Sequence, residues 1–542
     1  MLLPVAFSSE LYHSFWAPKA AVALLLLGPG LVAVARLARG GELAARLAVL
    51  FLGAATAATA ASRLPMATLV GGANWGTGLL FVAALVAAWG LGATAGPAQR
   101  RQMATAVVAG ALVNAAVAWL QAAEMVPPAL DSPGRSSGLM GNPVHLGALV
   151  AGGLWLVCCR SAERRLLGWW TGAVALLAGA AQLSGGRSAL GLTVLVLAAA
   201  VRRSGWRRAV VVLAASGVGM FAASAWAADS AVTASDRTVG APTRQLDVRG
   251  GLWRMGAEAT LERPVLGWGP GRFLEATGHR TTPEVSEGGV NVAADAHNWV
   301  VEYATTTGLL GLGLLAAWLL ASVRRRTGPL LGFAAVAALF TLFEPQSVGL
   351  TPLALLALGA SYRRSPGGAD APPALGWRVV SALGLAASVA AAGVLLVGEA
   401  GLRQATLDTS PPRYAEAAAL LPAWPEVSQA GSRIEAFHGL HDEAHARKAV
   451  ALARQATRRD PTSADAWANL ATLELKWGSD AAARHAAERA LDRNPWSAGA
   501  LLVRAVSAES AGDASTRDDS CRRLDALGKY PPVCGGPATV GP

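Results

Sequence analysis

Apolar residues gather into runs of membrane-spanning length at roughly 18–36, 43–61, 77–95, 104–123, 143–159, 166–183, 188–201, 209–227, 298–321, 328–343, 348–361 and 377–398. Short polar loops separate them, so the pattern predicts an all-α polytopic membrane helical bundle of about 12 transmembrane helices. The run 188–201 would be about 21 Å long as a helix and is expected to tilt, break or re-enter. Residues 1–17 lack the charged start and cleavage site of a signal peptide, so the first span is expected to be retained. Beyond residue 398 the runs give way to polar, alanine-rich sequence. The chain thus divides into a membrane domain, 1–398, with a large loop at 229–297, and an α-helical domain, 399–542.

Composition agrees: 53% of residues are hydrophobic and 15% charged, which a soluble domain rarely shows. Arginine alternates between the short loops. Eighteen arginines sit in one set, at 36, 39, 46, 100, 101, 160, 164, 165, 202, 203, 207, 208, 324, 325, 326, 363, 364 and 378; the opposite set holds only Arg63, Arg135 and Arg187. The richer set is expected to face the cytoplasm, which places the N-terminus, the loop 229–297 and the tail on the outer face of the cytoplasmic membrane. Topology then accounts for much of the net charge of +11, and the high pI does not argue for nucleic-acid binding.

Every unusual segment falls on the outer face. GNPVHLG (141–147), with Asn142 and His145, opens the fifth run, and SGGRSALG puts Arg187 in a glycine-flanked turn where positive charge is scarce. Arg187 either snorkels to headgroups or serves a site. In the large loop, RGGLWRMGAEATLER predicts a helix ended by Pro264 with Arg249 and Trp253 one turn apart on one face, either an amphipathic surface helix or part of a site. ERPVLGWGPGRF follows, its glycines permitting tight reversal or close backbone approach to a ligand, with Arg272 near its end. In DAHNWVVEYATTTGLLGLG (295–313), His297 and Asn298 open an apolar helix and Gly308 stands eleven residues on from the histidine. A histidine at a helix start feels the positive end of the dipole, which disfavours imidazolium and suits a general base; capping is the plainer alternative.

These segments resemble the bacterial O-antigen ligase and O-antigen polymerase family of polytopic, GT-C-like glycosyltransferases, over roughly residues 20–360. Its signatures correspond to Arg249 followed by Trp253, and to His297 followed by Gly308; SGGRSALG is similar to its earlier arginine motif, and GNPVHLG departs from its GNPN segment at Val144. The resemblance implies metal-independent, inverting transfer of a glycan from an undecaprenyl-pyrophosphate carrier to an acceptor hydroxyl, without a cofactor. It makes His297 the catalytic residue that orients or deprotonates the acceptor, and Arg187 and Arg249, helped by Arg254 and Arg272, the holders of pyrophosphate. Trp253, Asn298, Gly308, Asn142 and His145 would support them. Guanidinium groups suit such a leaving group because they are planar, permanently charged and bidentate. No Asp-x-Asp pair occurs in the chain, so the paired-carboxylate metal site of many glycosyltransferases is not evident.

In the tail, Asp460-Pro461 returns as Asn494-Pro495, and Ala456, Ala471 and Gly478 return as Ala490, Ala505 and Gly512, always 34 residues on. This is the tetratricopeptide period, with Trp467, Leu470 and Ala471 expected to face Ala483, Ala487 and Ala490; a generic alanine-rich helical hairpin is the alternative. The repeats could grip an acceptor, a polysaccharide or polysaccharide-assembly proteins. Cys158 and Cys159 read as small core residues, and Cys521 and Cys534 as a candidate disulfide. The expected partners are the lipid-linked donor, a glycan, lipid or protein acceptor, and membrane lipids. A transporter, a protein O-oligosaccharyltransferase and a repeat-displaying assembly scaffold stand as alternatives.

Overall fold

A computed structural model of the chain describes residues 2–71, 77–161, 168–227, 243–287, 294–324, 328–364, 375–422 and 424–535. Residues 228–242 and 288–293 of the large loop, and Arg164, Arg165, Arg325 and Arg326, lie outside them.

Every apolar run falls on a helix: α1 (Ala17–Leu25) and α2 (Leu27–Arg39), α3 (Leu43–Ala60), α4 (Leu79–Thr94), α5 (Pro97–Ala122), α6 (Pro143–Ser161), α7 (Trp169–Leu183), α8 (Arg187–Arg203), α9 (Trp206–Trp226), α11 (Trp299–Arg324), α12 (Pro329–Phe340), α13 (Thr351–Ser361) and α14 (Leu375–Leu407), with α10 (Thr243–Glu262) in the large loop. Six of these, α3, α5, α6, α9, α11 and α14, are long and apolar enough to cross a membrane, and α1 with α2, bent by 41°, makes a seventh if the pair is one span. Of the others, α10 is long enough but too polar, and the rest fall short in length. The run expected to tilt, break or re-enter is one continuous 17-residue helix, α8. This is an all-helical, multi-pass membrane protein.

Small residues let these helices approach closely, as membrane helices must when lipid is as apolar as their own side chains. Along α4 and α13 a Cβ added at Gly92 would fall 2.1 Å from the Leu356 carbonyl oxygen, and one at Gly359 2.1 Å from that of Trp89. Large rings fill the remaining space; Phe51, Trp89, Trp170, Trp318 and Phe333 are fully buried.

Basic groups gather at one end of the bundle. Arg100 donates to the Tyr362 carbonyl at 3.3 Å, Tyr362 to Glu42 at 2.7 Å, and Arg160 to Thr105 at 2.7 Å and to the Arg101 carbonyl. Arg39 lies over Trp377 and Arg203 over Trp155. The loops that join helices at the opposite end carry the candidate site.

Helix α14 does not stop at 398: it runs on to Leu407, and the chain reverses at Thr409, whose φ is 47°. α15 (Pro411–Leu420) packs back on it. The buried Glu399 fixes the N-terminal segment to this junction, accepting from the His13 backbone at 2.8 Å and meeting its Nδ1 at 3.0 Å. Then follow α16 (Pro425–His438), α17 (Glu443–Arg459), α18 (Ala464–Trp477), α19 (Asp480–Leu491), α20 (Ala498–Ser510) and α21 (Ala514–Ala526). α18 and α20 begin 34 residues apart, as do α19 and α21. Leu470, Ala471, Ala483, Ala487 and Ala490 share one core, with Trp467 half-buried against it. Each helix pair follows the same Asx turn: Asp460 Oδ1 accepts from Thr462 N, and Asn494 Oδ1 from Trp496 N, both at 3.0 Å. Cys521 and Cys534 form the expected disulfide.

Candidate functional site

Helix α10 turns one face inward. Leu252 and Met255 are buried with Phe273, Val285 and Ala296 in a small cluster beneath the loop. Trp253, on the same side, donates its indole N–H to the Ala296 carbonyl at 3.1 Å and so supports the segment that carries His297. Arg249, one turn earlier, reaches across to Glu344 at 2.6 Å.

The His297 segment is held tightly. Its backbone N–H and its Nδ1 both meet Asp295 Oδ1, at 2.7 and 2.9 Å, and its φ is 50°, a left-handed conformation that costs a non-glycine residue about 1–3 kcal/mol unless its surroundings impose it. Asn298 is the cap of α11, its Oδ1 accepting from Val300 N at 2.8 Å, so His297 stands just outside the helix. Buried Glu302, one turn into α11, accepts from Ala296 N at 3.0 Å. Asp295, Trp253 and Glu302 therefore fix the histidine from three directions.

Gly308 serves a different purpose. It breaks α11 with φ 70°, ψ 179°, and a Cβ there would lie 2.1 Å from the Val265 carbonyl oxygen. The Pro264–Gly269 turn docks into this break: Leu309 N donates to Pro264 O at 2.8 Å, Trp268 N to Thr305 O at 3.0 Å and Gly269 N to Thr306 O at 2.8 Å. The glycine eleven residues after the histidine thus lets the large loop lie against the helix that His297 precedes.

Glu344, in the loop between α12 and α13, joins these parts. One carboxylate oxygen accepts from Arg249 at 2.6 Å and from Ser188 Oγ at 3.0 Å. Ser188 follows Arg187, the first residue of α8. Glu344 also lines, with Asp295, His297, Glu302, Tyr303 and Pro270, a cleft of about 390 Å³ including its open mouth. Arg187, Arg249 and His297, separated widely in sequence, come from elements that meet around one carboxylate.

An O-antigen ligase family model matches residues 172–316, the stretch from α7 to the middle of α11. The chain carries an O-antigen ligase domain. No curated protein matches it. The matched stretch contains Arg187, Arg249, Trp253, Arg254, Arg272, His297, Asn298 and Gly308; Asn142, His145, Glu344 and the tail lie outside it.

None of the four candidate arginines of the O-antigen ligase domain lines the cleft itself: Arg249 meets its wall through Glu344, Arg187 precedes the Ser188 that bonds the same carboxylate, and the other two point elsewhere. Arg254 projects away, its side chain 82% exposed and paired with Glu258 at 3.0 Å. Arg272 is buried among Glu275 at 2.6 Å, Asp460 at 3.3 Å and Thr462 at 2.7 Å. Its charge is already met. His145 is buried one layer below, its Nε2 3.2 Å from the carbonyl of Pro345, which lines the cleft; Asn142 Oδ1 accepts from Val144 N and starts α6.

The effect expected of the helix dipole on His297 is reversed. Burial disfavours the imidazolium, but the hydrogen bond and charge of Asp295, with the charge of Glu344, outweigh it and raise the pKa above the ordinary 6.5. Asp295 and Glu302 stand in the same segment as His297, but no spacing in the sequence singles them out. Glu344 had one sequence signal, as a carboxylate in the short gap between two apolar runs, a costly place for charge.

Proposed function

We propose that the chain transfers a glycan from an undecaprenyl-pyrophosphate-linked donor to an acceptor hydroxyl on a glycan, lipid or protein, at the outer face of the cytoplasmic membrane. The observation that carries this reading is the His297–Asp295 pair in a cleft walled by the carboxylate that holds Arg249. With Nδ1 engaged by Asp295, Nε2 is the ring nitrogen left for substrate.

In this reading His297 Nε2 takes the acceptor proton as the acceptor oxygen attacks the anomeric carbon from the face opposite the diphosphate. The bond from that carbon to the diphosphate oxygen breaks, the electron pair leaves with the polyprenyl diphosphate, and the configuration inverts. Asp295 stabilises the imidazolium that forms. Arg249 and Arg187 lower the energy of the departing anion, most effectively where water is partly excluded. The electrostatic work needs no metal.

The arginine-rich ends support a cytoplasmic position for the end opposite the cleft. The tail touches the cleft end through Arg272, so cleft and tail share a side. We read the tail as tetratricopeptide-like, from the 34-residue recurrence of its helix starts.

Replacing His297 by Ala and Arg249 by Ala separately tests the reading. Each variant is expected to reach the membrane at the level of the parent and to lose transfer from a lipid-linked donor about 100-fold or more. Normal product from both would remove the enzyme assignment.

A further inference from the structure

Arg272 belongs to the large loop, yet its partners lie in the tail. Nη1 and Nη2 reach the two oxygens of Asp460 at 3.4 and 3.3 Å, Nη2 reaches Thr462 Oγ1 at 2.7 Å, and Nε reaches Glu275 at 2.6 Å. Arg272 is 6% exposed and Asp460 8%. Burial works against the charge, but Asp460 and Glu275 overcome it and raise the Arg272 pKa. A second contact lies nearby: the turn at Gly278 passes so close to the tail that a Cβ there would sit 2.6 Å from the Arg493 carbonyl oxygen.

The other side of this loop faces the cleft. Pro270, two residues before Arg272, lines it beside Thr306, and Trp268 and Gly269 are bonded to α11 just ahead of the Gly308 break. Gly271 packs against Gly71 and Gly78, where a Cβ would come within 2.9 Å of the Gly71 Cα. The turn is therefore clasped between the bundle and the tail, and one wall of the cleft depends on both. The Asx turns ahead of α18 and α20 have the same local geometry, but of these two only the first carries a carboxylate, because Asn stands at 494.

We propose that the Arg272–Asp460 pair is a positioning clamp through which the tail holds the Gly267–Gly271 turn, and with it the Pro270 wall, in the geometry that transfer requires. The proposal rests on the transferase reading above. Arg272 is then a positioning residue, and the repeats act on the cleft whether or not they also bind a partner.

The test compares full-length Asp460→Asn and Asp460→Glu in membranes. Glu275 still neutralises Arg272 in Asp460→Asn, so folding and membrane level should be kept. The expected result is a kcat lowered about tenfold or more with the KM for lipid-linked donor changed less than about twofold, and recovery of most of the kcat in Asp460→Glu. Amide exchange at Trp268 and Gly269 should quicken in Asp460→Asn and return in Asp460→Glu. Parental kcat in Asp460→Asn, or a rise in KM alone, as expected if Arg272 held pyrophosphate, would overturn the clamp. Unchanged exchange would overturn it regardless of activity. Should His297→Ala retain full transfer, the transferase reading falls while the exchange measurement still decides whether the tail holds the turn.

Discussion

Arginine meets carboxylates mainly at one end of this bundle, where it also uses a ring or a carbonyl, as Arg263 over Trp268 and Arg135 on the Ser184 carbonyl show. At the basic end Arg100 and Arg160 donate to backbone carbonyls, and Arg39 and Arg203 lie on indole rings. At the cleft end Arg249 is held by Glu344, Arg272 by Glu275 and Asp460, and Arg280 by Glu262. A carbonyl or a ring leaves the positive charge uncompensated, which suits an anchor at an anionic membrane surface. A carboxylate fixes a guanidinium in direction, which suits a group that must meet a substrate or another domain at one angle. The partner, more than the arginine, separates topology from chemistry.

Removing the carboxylate partner should erase the distinction most severely at Glu344. Glu344→Ala takes the acceptor from both Arg249 and Ser188, and transfer is expected to fall about 100-fold or more in a membrane assay with lipid-linked donor. Asp295→Asn comes next, with kcat down about 10- to 100-fold and a shifted pH profile. The base works when neutral, so the rate rises as pH passes the raised His297 pKa; without the Asp295 charge that rise should move to lower pH. A profile that stays in place would show that another group governs the limb. A smaller effect belongs to the basic end: Arg160→Ala should leave kcat within about twofold, since its partners are a threonine and a carbonyl far from the cleft. Arg254→Ala should matter least, with thermal stability changed by less than about 0.5 kcal/mol and transfer unaltered, because the side chain is exposed. A marked loss in either of the last two would blur the contrast between the ends.

Helical periods were the most legible part of the sequence. Each apolar run became a helix, and the one-turn spacing of Arg249 and Trp253 put both on one face of α10, which the fold turns inward. The same arithmetic argues against Arg254 in the cleft: five residues at about 100° each leave it some 140° away from Arg249. Span length was less legible, because turns at glycine and proline trim a run of apolar letters to a shorter helix; the run 328–343 yields only Pro329–Phe340. Gly308 was visible as a position in a motif, but its purpose was not, since the chain that enters the break lies more than 40 residues earlier. Pairs such as Arg249 with Glu344, 95 residues apart, and Arg272 with Asp460, 188 apart, leave no periodic trace in one sequence. Only the fold brings them together.

Helix α14 has 33 residues, about 50 Å of rod against a hydrocarbon layer of about 30 Å, and the tail begins where it ends. Because span and stalk are one continuous helix and the tail is also held to the large loop through Arg272, helix, tail and cleft wall should move together when the rod tilts to match membrane thickness. Reconstitution into phosphatidylcholines of increasing acyl length should give an activity optimum, whereas a flat response would mean that the rod adjusts without moving what it carries.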